Sequence, residues 1–255
     1  MSKLTTQQVK EVLVDVTSLN DPRLLEFTED ERKSVQSAVK ICKNRLLKTE
    51  KLHEHFEEMK IFEKEAKKAG YKWIAGIDEV GRGPLAGPVV SAAVILPEDF
   101  DLYEVNDSKQ LSLKKREELF VKIKKQAIAI GIGIIDHQVI DQVNIYEATK
   151  LAMKAAVQNL EKAPDFLLID AMVLDLPIPQ EKIIKGDARS ISIACASIIA
   201  KVTRDKMMEE YDLLFPGYDF SNNSGYGTKK HLAGLDELGI TPIHRKTFAP
   251  IKNMI

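Results

Sequence analysis

The rhythm of apolar residues changes near Gly70. Before it, Leu46, Leu47, Leu52, Phe56, Met59, Phe62 and Ala66 recur at helical spacing, and Gly70 is a fitting C-terminal stop. Thr28-Glu29-Asp30-Glu31 has the form of a capping box and predicts a helix opening there. Pro22 after Asp21 marks another helix start or a turn. No glycine precedes Gly70, and charges of both signs are dense. Residues 1–70 are therefore expected to form a helical N-terminal extension.

Beyond Gly70 the pattern alternates. Strands are predicted over 73–78, 89–96, 127–135, 166–169 and 181–184. Helices are predicted over 112–125, 145–160, 190–214 and 228–238. The run Phe166-Leu167-Leu168-Ile169 is continuously apolar, as in a strand covered on both faces. The helix from Ser190 begins almost without charge, so its start should be buried. Alternating strands and helices predict an α/β fold over 71–255, a mixed sheet flanked by helices with a C-terminal helical part.

Composition changes this picture little. In 255 residues, 44% are hydrophobic and 29% charged, with a net charge of -1. Any contact with phosphates must therefore come from local clusters or bound cations rather than a basic surface. Cys42 and Cys195, far apart in a chain without a secretory signal, are expected to be reduced, and the protein cytoplasmic. No window approaches a membrane-spanning run.

The candidate chemistry is acidic. Gly76 to Pro88 places four glycines, two prolines and three charges directly after an apolar strand. Asp78 and Glu79 are adjacent and would point to opposite faces of a regular strand, so sharing a site should require the strand to end there. Gly81 and Gly83 permit that departure, and Arg82 between them can bond a phosphate. A strand followed by an ordinary polar turn is the plain alternative. Asp170 ends the apolar run at a strand's carboxyl end, where ligands gather in open α/β sheets. Asp187 lies just before a helix, where a simple helix-terminus charge explains it equally well. Carboxylates without histidine or cysteine suit hard cations such as Mg²⁺ or Mn²⁺. Two such ions about 3.5–4 Å apart are a standard device for phosphodiester cleavage.

Several motifs, in order and spacing, resemble the ribonuclease HII family. They are Gly76 to Pro88, Asp107-Ser108-Lys109-Gln110-Leu111-Ser112, Leu168-Ile169-Asp170, Lys185-Gly186-Asp187, Ser192 to Asp205 and Gly225-Tyr226-Gly227-Thr228. The resemblance spans roughly residues 71–248. The Gly81-Arg82-Gly83 triplet resembles this family rather than its HIII relative, whose N-terminal domain is β-rich. The resemblance implies a ribonuclease H-like fold and a metal site of Asp78, Glu79, Asp170 and Asp187. It implies that Gly81, Arg82 and Gly83 read a ribose 2′-OH through the backbone, and that Tyr226 stacks on the deoxyribose after the ribonucleotide. It also implies endonucleolytic cleavage of RNA in RNA–DNA hybrids, and of single ribonucleotides in duplex DNA, as in ribonucleotide excision. The cut falls 5′ of the ribonucleotide and leaves 3′-OH and 5′-phosphate ends. Gln110 stands where lysine is expected, which removes a possible phosphate contact.

An exonuclease of the same fold with four acidic residues, and a non-catalytic nucleic-acid-binding module, are the rivals. The five histidines show no metal spacing, and His53 and His55 are expected to be exposed. Gln110 to Leu113 only faintly resembles a sliding-clamp peptide, so clamp binding is not expected; nor is a membrane partner or an oligomer. Lys229, Lys230 and His231 stand either as phosphate contacts or as a solvated helix face. Lys40, Lys43, Arg45, Lys48 and Lys51 form a basic cluster that either holds duplex backbone or covers a face of ordinary packing helices.

Overall fold

A computed structural model describes residues 4–255 and divides into two compact units, Met1–Glu58 and Met59–Ile255. In the first, α1 (Thr6–Val14), α2 (Pro22–Thr28) and most of α3 (Lys33–Met59) enclose a small core of Val9, Leu13, Val16, Leu24, Phe27, Val35, Val39 and Leu46. Asp21 caps α2 ahead of Pro22. The capping box expected at Thr28 does not form. Thr28 closes α2 instead, its hydroxyl donating to the Leu24 carbonyl at 2.9 Å, and Asp30 accepts from the Arg32 amide. The sequence pattern was right about residue types and wrong about which end of a helix they serve.

The second unit opens with α4 (Ile61–Lys68), ended by Gly70 at φ 99°. Then follow β1 (Ile74–Val80), β2 (Val89–Ile95), α5 (Leu113–Gln126), β3 (Ala129–Ile135), α6 (His137–Val143), α7 (Ile145–Gln158), β4 (Phe166–Asp170), β5 (Gln180–Ile183), α8 (Ile191–Leu214), α9 (Phe220–Asn223) and α10 (Lys229–Leu238). The strands form one mixed sheet in the order β3-β2-β1-β4-β5, with β1 antiparallel to β2 and parallel to β4. This is the expected α/β sheet flanked by helices. Among the described residues no helix is long and apolar enough to cross a membrane. Cys42 and Cys195 are free and buried.

Alternation along the strands separates the two faces. Ala75, Ile77, Leu167 and Ile169 pack with Met153, Ala156 and Val157 of α7. Ile74, Leu168 and Ile183 pack with Ile193 of α8 on the other face. Gly76 points at α8, and a Cβ there would run into the backbone of Ser192 and Ile193. That close approach brings the first turn of α8 onto the centre of the sheet.

Candidate metal and substrate site

Asp78 and Asp170 belong to neighbouring parallel strands, and the β1–β4 ladder pairs Ile77 with Ile169 as its last rung. The next residue on each strand is the aspartate, so both carboxylates leave the sheet on the α8 face. β1 does not end there, as the sequence reading required; it continues antiparallel to β2 through Val80. Past Ile77 its β4 side is unpaired, and Glu79, one residue further on, brings its carboxylate to the same place. Carboxylate oxygens of Asp78, Glu79 and Asp170 lie within 4.8 Å of one another.

Each member of the triplet has fixed supports. Asp78 is buried; its side chain accepts from the Glu79 amide at 2.8 Å and bonds Ser197 of α8. Ser91 on β2 holds the Asp78 carbonyl at 2.7 Å. Asp170 accepts from the Gly186 amide at 2.7 Å. Glu79 Oε1 meets Arg82 at 3.3 Å, while its buried Oε2 has no hydrogen-bond partner among the described residues. Burial raises all three acids, and neighbouring carboxylates add to it. Asp78 stands well above the ordinary aspartate range through burial and then the charges of Glu79 and Asp170. Burial raises Glu79 against the lowering pull of Arg82, and burial raises Asp170 against the Gly186 bond. Three crowded oxygen donors and one orphaned buried oxygen fit a hard divalent cation.

Asp187 stands beside this triplet rather than within it. It is buried in a short 3-10 turn ahead of α8, and its carboxylate meets the exposed Lys109 ammonium at 3.2 Å. Its charge acts on Asp170. In the sequence, only the motif Asp107 to Ser112 points to a place for Lys109 here.

Gly81, Arg82 and Gly83 turn sharply after β1, with Gly81 at φ 93°. Tyr226, about half exposed, lies against them: a Cβ on Gly83 would sit 3.2 Å from the tyrosine ring. Two arginines with almost no exposure hold this arrangement from behind. Arg245 donates to the carbonyls of Gly81, Arg82, Gly87 and Pro88. Arg204 of α8 donates to those of Pro88, Ala86 and Ser224. Burial lowers them to about 9 and about 10, respectively, still charged at neutral pH. A trans peptide points its N–H opposite its carbonyl. Drawing the Gly81 and Arg82 carbonyls inward therefore aims the N–H groups of Arg82 and Gly83 outward. The sequence gives neither arginine a role: Arg204 stands inside the Ser192 to Asp205 motif and Arg245 outside every motif quoted, and the carbonyls they meet are remote in sequence. His231 is likewise fully buried, against the expected phosphate contact or solvated face, because α10 turns it into the C-terminal core. His53 is exposed and His55 half-buried.

The ribonuclease HII family profile matches residues 75–251, and the profile of the ribonuclease HII N-terminal domain matches residues 5–67. The chain is similar to the ribonuclease HII of Enterococcus faecalis, at 63% identity over all of both chains. It is similar in structure to the ribonuclease H2 of Pyrococcus horikoshii OT3, with a TM-score of 0.61, 26% identity and coverage of 72% of this chain and 97% of that one. The ribonuclease HII of Archaeoglobus fulgidus, solved in complex with PCNA, matches with a TM-score of 0.60 and 26% identity, over 69% of this chain and 95% of that one.

Proposed function

The chain belongs to the ribonuclease HII family of hydrolytic nucleases, and from that premise we propose that it is an endonuclease acting on ribonucleotides in or against DNA. Its substrates are RNA–DNA hybrids and duplex DNA carrying single ribonucleotides. It cuts on the 5′ side of the ribonucleotide and leaves 3′-OH and 5′-phosphate ends. One observation carries the reading: three carboxylates converge beside a glycine turn whose carbonyls are drawn inward and against which Tyr226 lies.

Asp78, Glu79 and Asp170 hold divalent cations, Mg²⁺ or Mn²⁺, with Asp187 as the fourth carboxylate; family membership and the orphaned Glu79 oxygen support this. When bound, such ions supply charge neutralisation and Lewis acidity at the scissile phosphodiester. The outward N–H groups of Arg82 and Gly83 bond the ribose 2′-OH, the group that separates RNA from DNA. The Arg82 side chain bonds a phosphate. Tyr226 stacks on the following deoxyribose. Lys109 balances Asp187 and faces the backbone of the bound strand. Residues 1–70 act as a helical extension to a catalytic domain of 71–255, in a cytoplasmic monomer.

A duplex with blocked ends and one ribonucleotide tests this, with products mapped in Mg²⁺ and in Mn²⁺. A single internal cut 5′ of the ribonucleotide is expected with at least one ion. A ladder arising only on unblocked duplex would favour an exonuclease of the same fold, and an intact blocked duplex with both ions would overturn the reading.

A further inference from the structure

Beneath Tyr226 lie two histidines that the carboxylate chemistry leaves unused. His231 of α10 and His244 have no exposed surface, and their Nε2 atoms are 2.9 Å apart. One proton must lie between them. Its direction follows from the far ends of the pair. Two groups of Thr241 meet His244 Nδ1 at 2.8 Å, the backbone N–H and the side-chain hydroxyl; the hydroxyl can act either way, but the amide can only donate, so that nitrogen carries a lone pair. The proton of neutral His244 is then on Nε2, which donates to Nε2 of His231. His231 in turn carries its proton on Nδ1, which lies 3.0 Å from the Tyr226 carbonyl. Every bond in the chain from Thr241 to Tyr226 therefore has a fixed direction.

We propose that His231 and His244 are positioning residues for Tyr226, a proton-ordered pair that locks the peptide following the tyrosine and so fixes its ring against Gly83. The inference rests on the reading of Tyr226 as the residue that meets the sugar beside the ribonucleotide. The surroundings keep both rings neutral. Phe220 and Tyr218 stack around them, with the Phe220 and His231 ring centroids 5.1 Å apart and edge-on. Burial lowers both histidines, His244 to about 4, where the proximity of His231 adds to the effect. A second proton would set two N–H groups against each other or place one against the Thr241 amide. The Tyr226 carbonyl also accepts from the Thr228 amide at 2.8 Å, so two donors converge on the one group that orients the tyrosine backbone. His244 touches Tyr226 only through His231, yet its tautomer determines whether His231 presents a donor or a lone pair to that carbonyl.

Two measurements test this. The first uses the unaltered full-length protein: long-range ¹H–¹⁵N spectra at neutral pH report ring tautomers directly. The expected result is one neutral ring protonated on Nδ1 and one on Nε2, assigned to His231 and His244 through His231→Asn. A charged ring, or His231 protonated on Nε2, overturns the proposal. The second compares kcat and KM on a single-ribonucleotide duplex and on a long hybrid. His231→Leu and His244→Leu are each expected to lose roughly 3- to 10-fold in kcat/KM on the single-ribonucleotide duplex, the scale of one lost hydrogen bond, and less on the hybrid. His231→Asn, which keeps a donor near the Nδ1 position, and His244→Gln, which keeps one near Nε2, are expected to recover most of that loss. Adding His231→Leu to Tyr226→Ala is expected to cost nothing further on the single-ribonucleotide duplex. If Tyr226→Ala is itself unselective, the reading of Tyr226 falls and the inference with it. If Tyr226→Ala is selective while the histidine variants lose equally on both substrates, or show no recovery in the donor-keeping forms, only the inference falls.

Discussion

Asp78 and Asp170 stand side by side, one residue past the last paired rung of the parallel β1–β4 ladder, on the face covered by α8. Burial, with the charges of Glu79 and Asp170 added to it, raises Asp78 well above the ordinary aspartate range. Strongly perturbed carboxylates gathered in this way cluster at functional sites.

Asp78→Asn and Asp170→Asn are each expected to lower turnover by roughly 10²-fold or more, because a lost ligand removes several kcal/mol of charge stabilisation. Both variants should stay folded. Asp78→Asn should also raise the melting temperature of the metal-free protein at neutral pH, by about 2–4 °C per kcal/mol of relieved repulsion. Calorimetry with a chelator, and again with Mn²⁺, checks this. Near-normal turnover would remove the altered residue from the site.

The pH dependence follows from the same raised groups. In the unfolded chain Asp78 titrates near 3.8; folded without metal it holds its proton to higher pH. Its favourable contribution to metal-free stability is therefore full below its unfolded pKa and is lost as pH rises through the raised folded pKa. Cation binding runs the other way, since ligands must be ionised. Mn²⁺ affinity by titration calorimetry is expected to weaken as pH falls toward the raised carboxylate range, with proton release on binding. A flat pH profile without proton release would contradict the shared site.

Arg245→Met leaves the carbonyls of Gly81, Arg82 and Gly87 without their shared donor. A loss of roughly 2–4 kcal/mol in stability is expected from unmet buried acceptors. Denaturant titration reads the stability. The kcat/KM ratio of ribonucleotide-containing to all-DNA duplex should fall with it, since the glycine turn loses its brace. A stable variant with undiminished discrimination would show that the turn holds itself.

Tyr226→Ala should hurt single-ribonucleotide substrates more than long hybrids. Stacking of this kind is worth ~1–3 kcal/mol where bases are concerned. Steady-state kinetics on both substrates decide it; equal losses would make Tyr226 ordinary packing.

Within the first unit, Arg45 is occupied by the carbonyls of Leu13 and Val16, which leaves Lys40, Lys43, Lys48 and Lys51 of the basic cluster to face a duplex. A truncation at residue 69 is a poor probe of them. It removes Glu63, whose carboxylate accepts from Ser190, Ser192 and the Ser192 amide at the start of α8. Replacing Lys40, Lys43 and Lys51 by Gln in the full chain is the cleaner test. If they hold phosphates, KM rises and its log–log salt slope flattens by about 0.9 per lost contact. An unchanged slope returns the face to simple solvation.

The sequence alone determined what is local. Apolar periodicity placed the strands from Trp73 onward and the long helix from Ser190, because period and capping are written in neighbouring residues. It also marked Asp78, Glu79 and Asp170, since charges at the ends of apolar strands are costly without partners. Tertiary structure decided the rest. Strand order, and with it the meeting of Asp78 and Asp170, depends on pairing between segments about ninety residues apart. Glu79 joins them without the predicted strand break because the ladder beside it ends first. Arg204, Arg245, His231 and His244 carry no local sign of burial. Their partners are mainly backbone carbonyls and an amide, groups every residue has, so only the folded chain shows which of them a buried polar side chain will meet.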